Sequence, residues 1–276
     1  MNADLKQKIE PCADAHDRWW VFVLRPSVVN AYRSEAMEHS FSLDGQDIPF
    51  KAGQTVFDAA MAAGVYIPHL CHNPEYEPHS SCRLCTIIVN GRPFAACTQP
   101  AVNGQLIQSD TPELNAMRRM LLQMLFIEGN HYCPSCAKSG WCRLQASAYD
   151  LGMQDSHFPH LYPHRDPDAS HPDIILDRDR CILCGLCVRV SRQVDKKNVF
   201  EIVNRGIQCE LAVNSPTGEL GDSQIDLEDE SVRVCPVGAI LPKRQGFKVP
   251  IGMRLYDKEP ISTVDLREQV QGGKRV

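Results

Sequence analysis

The chain has 276 residues, 43% of them hydrophobic, and a formal net charge of −5. That apolar fraction can bury real cores, which excludes disorder, and the negative balance lacks the basic face of a nucleic-acid binder. Thirteen residues are cysteine, about half the density of a small disulfide scaffold.

The opening stretch MNADLKQKIEPC has no apolar signal region, so a cytoplasmic, reducing setting is expected, where grouped thiols bind metal rather than each other. No apolar run reaches the ~18 residues of a spanning helix. The longest candidate, residues 56–67, is broken by Asp58 and Gly64.

Residues 1–37 read as an N-terminal extension. Its burst Trp19-Trp20-Val21-Phe22-Val23-Leu24 either anchors a partner subunit or covers the chain's own first domain. Over 38–113, Phe41 and Leu43 alternate with polar residues, Asp44-Gly45 signals a hairpin, and Ile48 and Phe50 follow. An Ala-rich helix is predicted over 56–63, stopped by Gly64. A second hairpin pairs 86–89 with 94–98 across Asn90-Gly91, and 105–107 forms another short strand. Two hairpins clasping one helix make a small α+β domain.

Residues 114–155 open on a helix with Pro112 at its first position. Leu114, Met117, Leu121, Met124, Leu125 and Phe126 recur at helical spacing, so a Met-rich face is expected in the core. The helix leads to a cysteine-rich loop at 131–142. Residues 156–173, with four prolines and with His157, His160, His164 and His171, read as an extended, solvated linker. A third module spans 174–250, and 251–276 reads as a polar tail.

The cysteines sort by spacing into three groups. Cys71, Cys82, Cys85 and Cys97 follow C-x10-C-x2-C-x11-C, which suits either tetrahedral zinc or a two-iron cluster. Cys133, Cys136 and Cys142 leave one position open, and His131 stands two residues upstream as a fourth ligand or as a residue capping the preceding helix. Cys181, Cys184 and Cys187, two residues apart, with the distant Cys235-Pro236, match the ferredoxin pattern for a 4Fe-4S cube. Gly185 permits the curl, while Ile182 and Leu183 shield the cluster. Ser191 stands where a two-cluster ferredoxin places a further cysteine. Eleven cysteines and His131 thus supply twelve ligands for three clusters, leaving Cys12 and Cys209 as ordinary thiols.

This order of motifs resembles the electron-transfer region shared by the large iron–sulfur subunit of respiratory complex I, iron-only hydrogenases and the small diaphorase subunits of NAD-reducing hydrogenases. The resemblance covers about residues 38–245. It implies a β-grasp ferredoxin domain holding a 2Fe-2S cluster on Cys71, Cys82, Cys85 and Cys97. It implies a 4Fe-4S cluster on His131, Cys133, Cys136 and Cys142 in a helical loop module, and another on Cys181, Cys184, Cys187 and Cys235 in a bacterial-ferredoxin-like module. The complex I pattern places three residues between the histidine and the first cysteine, whereas only Tyr132 intervenes here. His131 is nonetheless the only histidine between Cys97 and Cys133.

No cysteine follows Cys235, and no glycine-rich nucleotide loop or nucleophile elbow occurs. The expectation is therefore a relay with no substrate site of its own. The resemblance points to the small diaphorase subunit of a NAD-reducing nickel–iron hydrogenase, working between a flavin- and NAD-binding subunit and the hydrogenase subunits in a hetero-oligomer. The corresponding subunit of a NAD-dependent formate dehydrogenase or a complex I-like assembly is the alternative. A zinc-stabilised scaffold is the alternative of a different class.

Overall fold

The computed structural model describes residues 39–161 and 164–271. The expectations for Cys12, Trp19 and Trp20 fall outside the described residues.

Strands β1 (Ser40–Leu43) and β2 (Gln46–Pro49) pair antiparallel, Phe41 facing Ile48. The turn between them places Asp44 at φ 51° and Gly45 at φ 86°, the left-handed pair that matches strand twist. Helix α1 (Val56–Ala62) starts at Thr55, whose hydroxyl accepts from Asp58 N while the Asp58 carboxylate accepts from Thr55 N.

Strand β3 (Thr86–Val89) pairs antiparallel with β4 (Arg92–Ala95). Strand β5 (Leu106–Gln108) lies antiparallel to β3 and parallel to β1, giving the order β2-β1-β5-β3-β4. A helix packed on a sheet whose first and last strands run parallel is the expected β-grasp. Phe57, Ala60 and Met61 of α1 pack on Phe41, Ile48, Ile87 and Ile107 in its core. The fourth strand begins earlier than the alternation suggested. Pro93 is tolerated because β4 is an edge strand, and the chain already turns at Ala95, whose carbonyl accepts from Thr98 N.

Helix α2 (Pro112–Glu128) begins at Thr111, which accepts from Leu114 N. Its buried residues are Leu114, Arg118, Leu122 and Ile127, whereas Met120 and Met124 are 49% and 45% exposed. The expected Met-rich core face is thus corrected. Arg118 takes the core position because its guanidinium donates to the carbonyls of Leu84 and Thr86.

Helix α3 (Arg143–Asp150) follows the cysteine-rich loop. Strand β6 (Ile174–Leu176) pairs with β9 (Ile240–Pro242), and β7 (Phe200–Val203) pairs with β8 (Glu210–Val213). Between them lie α4 (Leu186–Gln193) and α5 (Glu230–Arg233). One core runs from Leu122 and Leu144 through Ile174, Phe200 and Ile240.

Parts of the linker are strapped to this body. Asp168 pairs its backbone with Leu176 and its carboxylate accepts from Leu220 N. His171 Nδ1 accepts from the amides of Asp173 and Ile174, while His157 and His164 are exposed.

The expected polar tail is also corrected. Residues 255–271 form α6 (Leu255–Lys258) and α7 (Ile261–Gln271). Ile261, Val264 and Asp265 are fully buried, and Leu266 packs against the β-grasp core. Among the described residues, no helix is long and apolar enough to cross a membrane.

Candidate metal centres

The first site lies at one end of the β-grasp sheet. Cys71 follows α1, Cys82 and Cys85 lie on the loop entering β3, and Cys97 follows β4. Ser80 and Arg83 take left-handed φ values of 60° and 56°, folding that loop back on itself. The sulfurs fall into two pairs. Cys82 N donates to Cys71 Sγ at 3.4 Å, and the sulfurs of Cys85 and Cys97 stand 3.5 Å apart. Hydrogen bonding from Cys82 holds the Cys71 thiol down at about 5 while Cys82 is pushed up. Cys97 is lowered by Cys85 in the same way, and Cys85 is raised.

The second site is built on the loop between α2 and α3. A tight turn over Cys133–Ser135 brings Cys136 N to Cys133 O, and Cys142 precedes the first residue of α3. His131, Cys133, Cys136 and Cys142 all line one small pocket. His131 Nε2 is buried without a hydrogen-bond partner. Burial, helped by Arg180, lowers the imidazole to about 4, so a neutral ring presents its nitrogens to the site. An orphaned buried nitrogen is costly unless something binds it. A Cβ at Gly129 would stand 2.7 Å from that nitrogen, and one at Gly238 would stand 2.5 Å from Cys136 Sγ. Two glycines thus leave room for two of the four expected ligands.

The third site gathers Cys181, Cys184, Cys187 and Cys235 around a small pocket with Ile182, Leu183 and Val237. Leu183 and Gly185 take φ values of 51° and 67°, and Leu183 N donates to Cys181 Sγ at 3.4 Å. A leucine in the left-handed region costs about 1–2 kcal/mol. Burial pushes the Cys181 thiol up to about 12 and Cys184 and Cys187 higher still. A thiolate so placed needs a cation beside it, and soft sulfur donors select iron–sulfur or zinc chemistry.

Ser191 is buried and its hydroxyl accepts from Val199 N at 2.7 Å. It serves the loop after α4. Cys209 does not line the third pocket. Among the described residues, no three His, Cys, Asp or Glu side chains gather as they would on a single ion.

Family models match this geometry in chain order. A 2Fe-2S iron-sulfur cluster binding domain covers residues 37–112, an NADH-ubiquinone oxidoreductase-G iron-sulfur binding region covers 118–157, and a 4Fe-4S single cluster domain covers 174–241. The gamma subunit of the NAD-reducing hydrogenase HoxS of Cupriavidus necator is 39% identical over 227 residues, 82% of this chain and 96% of that subunit. The chain belongs to this hydrogenase gamma-subunit family.

A chain from a crystal structure of NAD+-reducing [NiFe]-hydrogenase in the H2-reduced state agrees, with a TM-score of 0.81 and 51% identity over 84% of this chain and 98% of its own. An NADH-quinone oxidoreductase subunit of Streptomyces coelicolor is 30% identical over 85% of this chain but only 27% of its own length. The gamma-subunit family thus shares this region with larger oxidoreductase subunits, and this chain carries binding regions for one 2Fe-2S cluster and for 4Fe-4S clusters.

Within this gamma-subunit fold the third site touches both others. Cys71 and Cys184 share a small apolar cluster with Leu186, and Arg189 donates to the carbonyls of Cys71 at 2.7 Å and Cys184 at 3.4 Å. Arg180, the neighbour of Cys181, donates to Cys136 Sγ at 3.6 Å. Sequence reasoning missed both arginines. Adjacency to Cys181 was a signal for Arg180, whereas Arg189 had none.

Proposed function

We propose that this chain is the iron–sulfur relay subunit of a cytoplasmic NAD-reducing hydrogenase. It would carry electrons between a flavin- and NAD-binding diaphorase subunit and the hydrogenase subunits. Cys71, Cys82, Cys85 and Cys97 would hold the 2Fe-2S cluster. His131, Cys133, Cys136 and Cys142 would hold one 4Fe-4S cluster, and Cys181, Cys184, Cys187 and Cys235 the other. Bound clusters supply one-electron transfer, whereas nicotinamide chemistry moves two electrons, so partners are needed at both ends.

The observation that supports this reading is the gathering of the twelve proposed ligand residues into three sites, the third of which touches both others. The protein's own residues do three things there. They bury the sulfurs, as Ile182 and Leu183 do at the third site. They donate to sulfur, as Arg180 does to Cys136. They brace one site against the next, as Arg189 does. Burial and hydrogen bonds to sulfur are the levers by which a protein sets cluster potential.

Iron and acid-labile sulfide analysis of the anaerobically purified full chain tests the ligand sets. About ten irons per chain, with matching sulfide and EPR signals from both cluster types, are expected. A colourless, zinc-containing protein would overturn the reading. Co-purified complex should reduce NAD with hydrogen, and NAD reduction by formate instead would identify a different terminal enzyme.

A further inference from the structure

Helix α7 carries Asp265 into a site with no solvent exposure. Its carboxylate accepts from Arg143 Nη1 at 2.7 Å and from Arg143 Nη2 at 2.5 Å. The same Nη2 lies 3.1 Å from His69 Nε2, and His69 Nδ1 lies 2.9 Å from the Ile67 carbonyl. Beside a carbonyl Nδ1 can only donate, so Nε2 carries the lone pair that accepts from Arg143. The chain is therefore continuous from Asp265 through Arg143 and His69 to the backbone entering the first site.

The position of this chain gives it consequence. Arg143 follows Cys142, and its amide donates to Pro236 O at 2.8 Å. His69 precedes Cys71 by two residues, and its ring stands edge-on to Phe57 at 4.7 Å. A buried guanidinium thus sits between ligands of the first and second sites. Its charge is permanent, because arginine does not deprotonate in proteins. Among the described residues, the Asp265 carboxylate makes the bidentate pair that neutralises it. The family-model matches end at residue 241, so none assigns a role to α7.

We propose that Asp265 is a positioning and charge-setting residue: by pairing with Arg143 it locks the first and second cluster sites together and keeps both at lower reduction potential than an unpaired Arg143 would allow. This rests on the cluster assignment proposed above. The physical reason is that reduction adds negative charge to each site, and an uncompensated cation in a low-dielectric interior favours that added charge.

The test is EPR-monitored redox titration of the full chain, with iron and sulfide measured on the same samples. Asp265→Asn keeps the shape and removes the charge. It should make the 2Fe-2S and His131-site clusters easier to reduce, by about tenfold in the reduced-to-oxidised ratio, or roughly 59 mV for one electron. Asp265→Glu keeps the charge and should stay near the native potentials. The doubly neutral Arg143→Gln, Asp265→Asn variant should return toward them as well.

Native iron content in Asp265→Asn with neither potential moved would overturn the proposal. A doubly neutral variant displaced as far as the single one would also overturn it. If Asp265→Asn sheds iron, the double variant decides: native iron and potentials support charge pairing, and equal loss refutes it. Wild-type protein lacking iron would instead sink the cluster assignment, so the two failures are distinguishable.

Discussion

Gly238 and Cys136 approach so closely that a Cβ at residue 238 would stand 2.5 Å from the cysteine sulfur. The two come from different parts of the chain. Cys136 lies in the loop between α2 and α3, and Gly238 follows the Cys235-Pro236 of the third site. The approach therefore couples the second site to the third through backbone rather than through a side chain.

Gly238→Ala should displace Cys136, because the neighbour is the sulfur of a proposed ligand, pinned by its own tight turn, rather than a flexible side-chain end. The expected outcome is selective loss of the His131-site cluster, with iron falling from about ten to about six per chain. The 2Fe-2S signal should remain. Iron analysis with EPR of the purified variant checks this. Retention of all three signals would show that the Cys136 sulfur is not held where Gly238 meets it.

His131 offers a different test. Its Nε2 is buried without a partner and its imidazole is held neutral. A neutral ligand leaves the cluster less negative than a fourth thiolate would, so the native site should be the easier to reduce. His131→Cys should retain iron and lower the midpoint potential of that cluster alone, read by redox titration. His131→Ala should lose part or all of its iron. An unmoved potential in a fully loaded His131→Cys variant would rule out ligation by the imidazole.

Legibility in the sequence followed the range of the interaction. The β-grasp hairpins were readable because Asp44-Gly45 and Asn90-Gly91 impose their turns locally. Cys181, Cys184 and Cys187 were readable because a cube requires that short spacing. Arg118 and Asp265 were not, since both are charged residues that become buried only by meeting partners far along the chain. Periodicity ranked Met124 above Arg118 as core, and no local pattern shows that two carbonyls of the first domain need donors there. For the same reason α7 read as a polar tail.

Arg180 should act on the second site through charge and hydrogen bonding. It donates to Cys136 Sγ at 3.6 Å and pairs with Asp177 at 2.9 Å. Donors to sulfur stabilise the reduced state. Arg180→Gln should therefore lower the potential of the His131-site cluster while iron content stays native. The Arg180 side chain is 21% exposed, so water screens part of its charge and the shift should be smaller than tenfold in the reduced-to-oxidised ratio. An unchanged potential would leave Arg180 with its ion pair to Asp177 as its whole role.

Arg118→Met is the stability counterpart. The native side chain is 1% exposed and donates to Leu84 O at 3.1 Å, Thr86 O at 2.9 Å and Asn115 Oδ1 at 2.8 Å. Methionine replaces much of the volume but leaves two buried carbonyls without this donor, at about 1–3 kcal/mol each. Removing a buried charge recovers part of that loss, so the net destabilisation should be about 3 kcal/mol. Leu84 and Thr86 flank Cys85, so the 2Fe-2S absorbance should disappear at lower urea than the 4Fe-4S absorbance. Arg118→Lys should fall between the two, since an ammonium cannot span both carbonyls with the fixed fork of a guanidinium. Urea unfolding followed by far-UV circular dichroism and visible absorbance reads both effects, and an unchanged midpoint in Arg118→Met would show that these carbonyls find other donors.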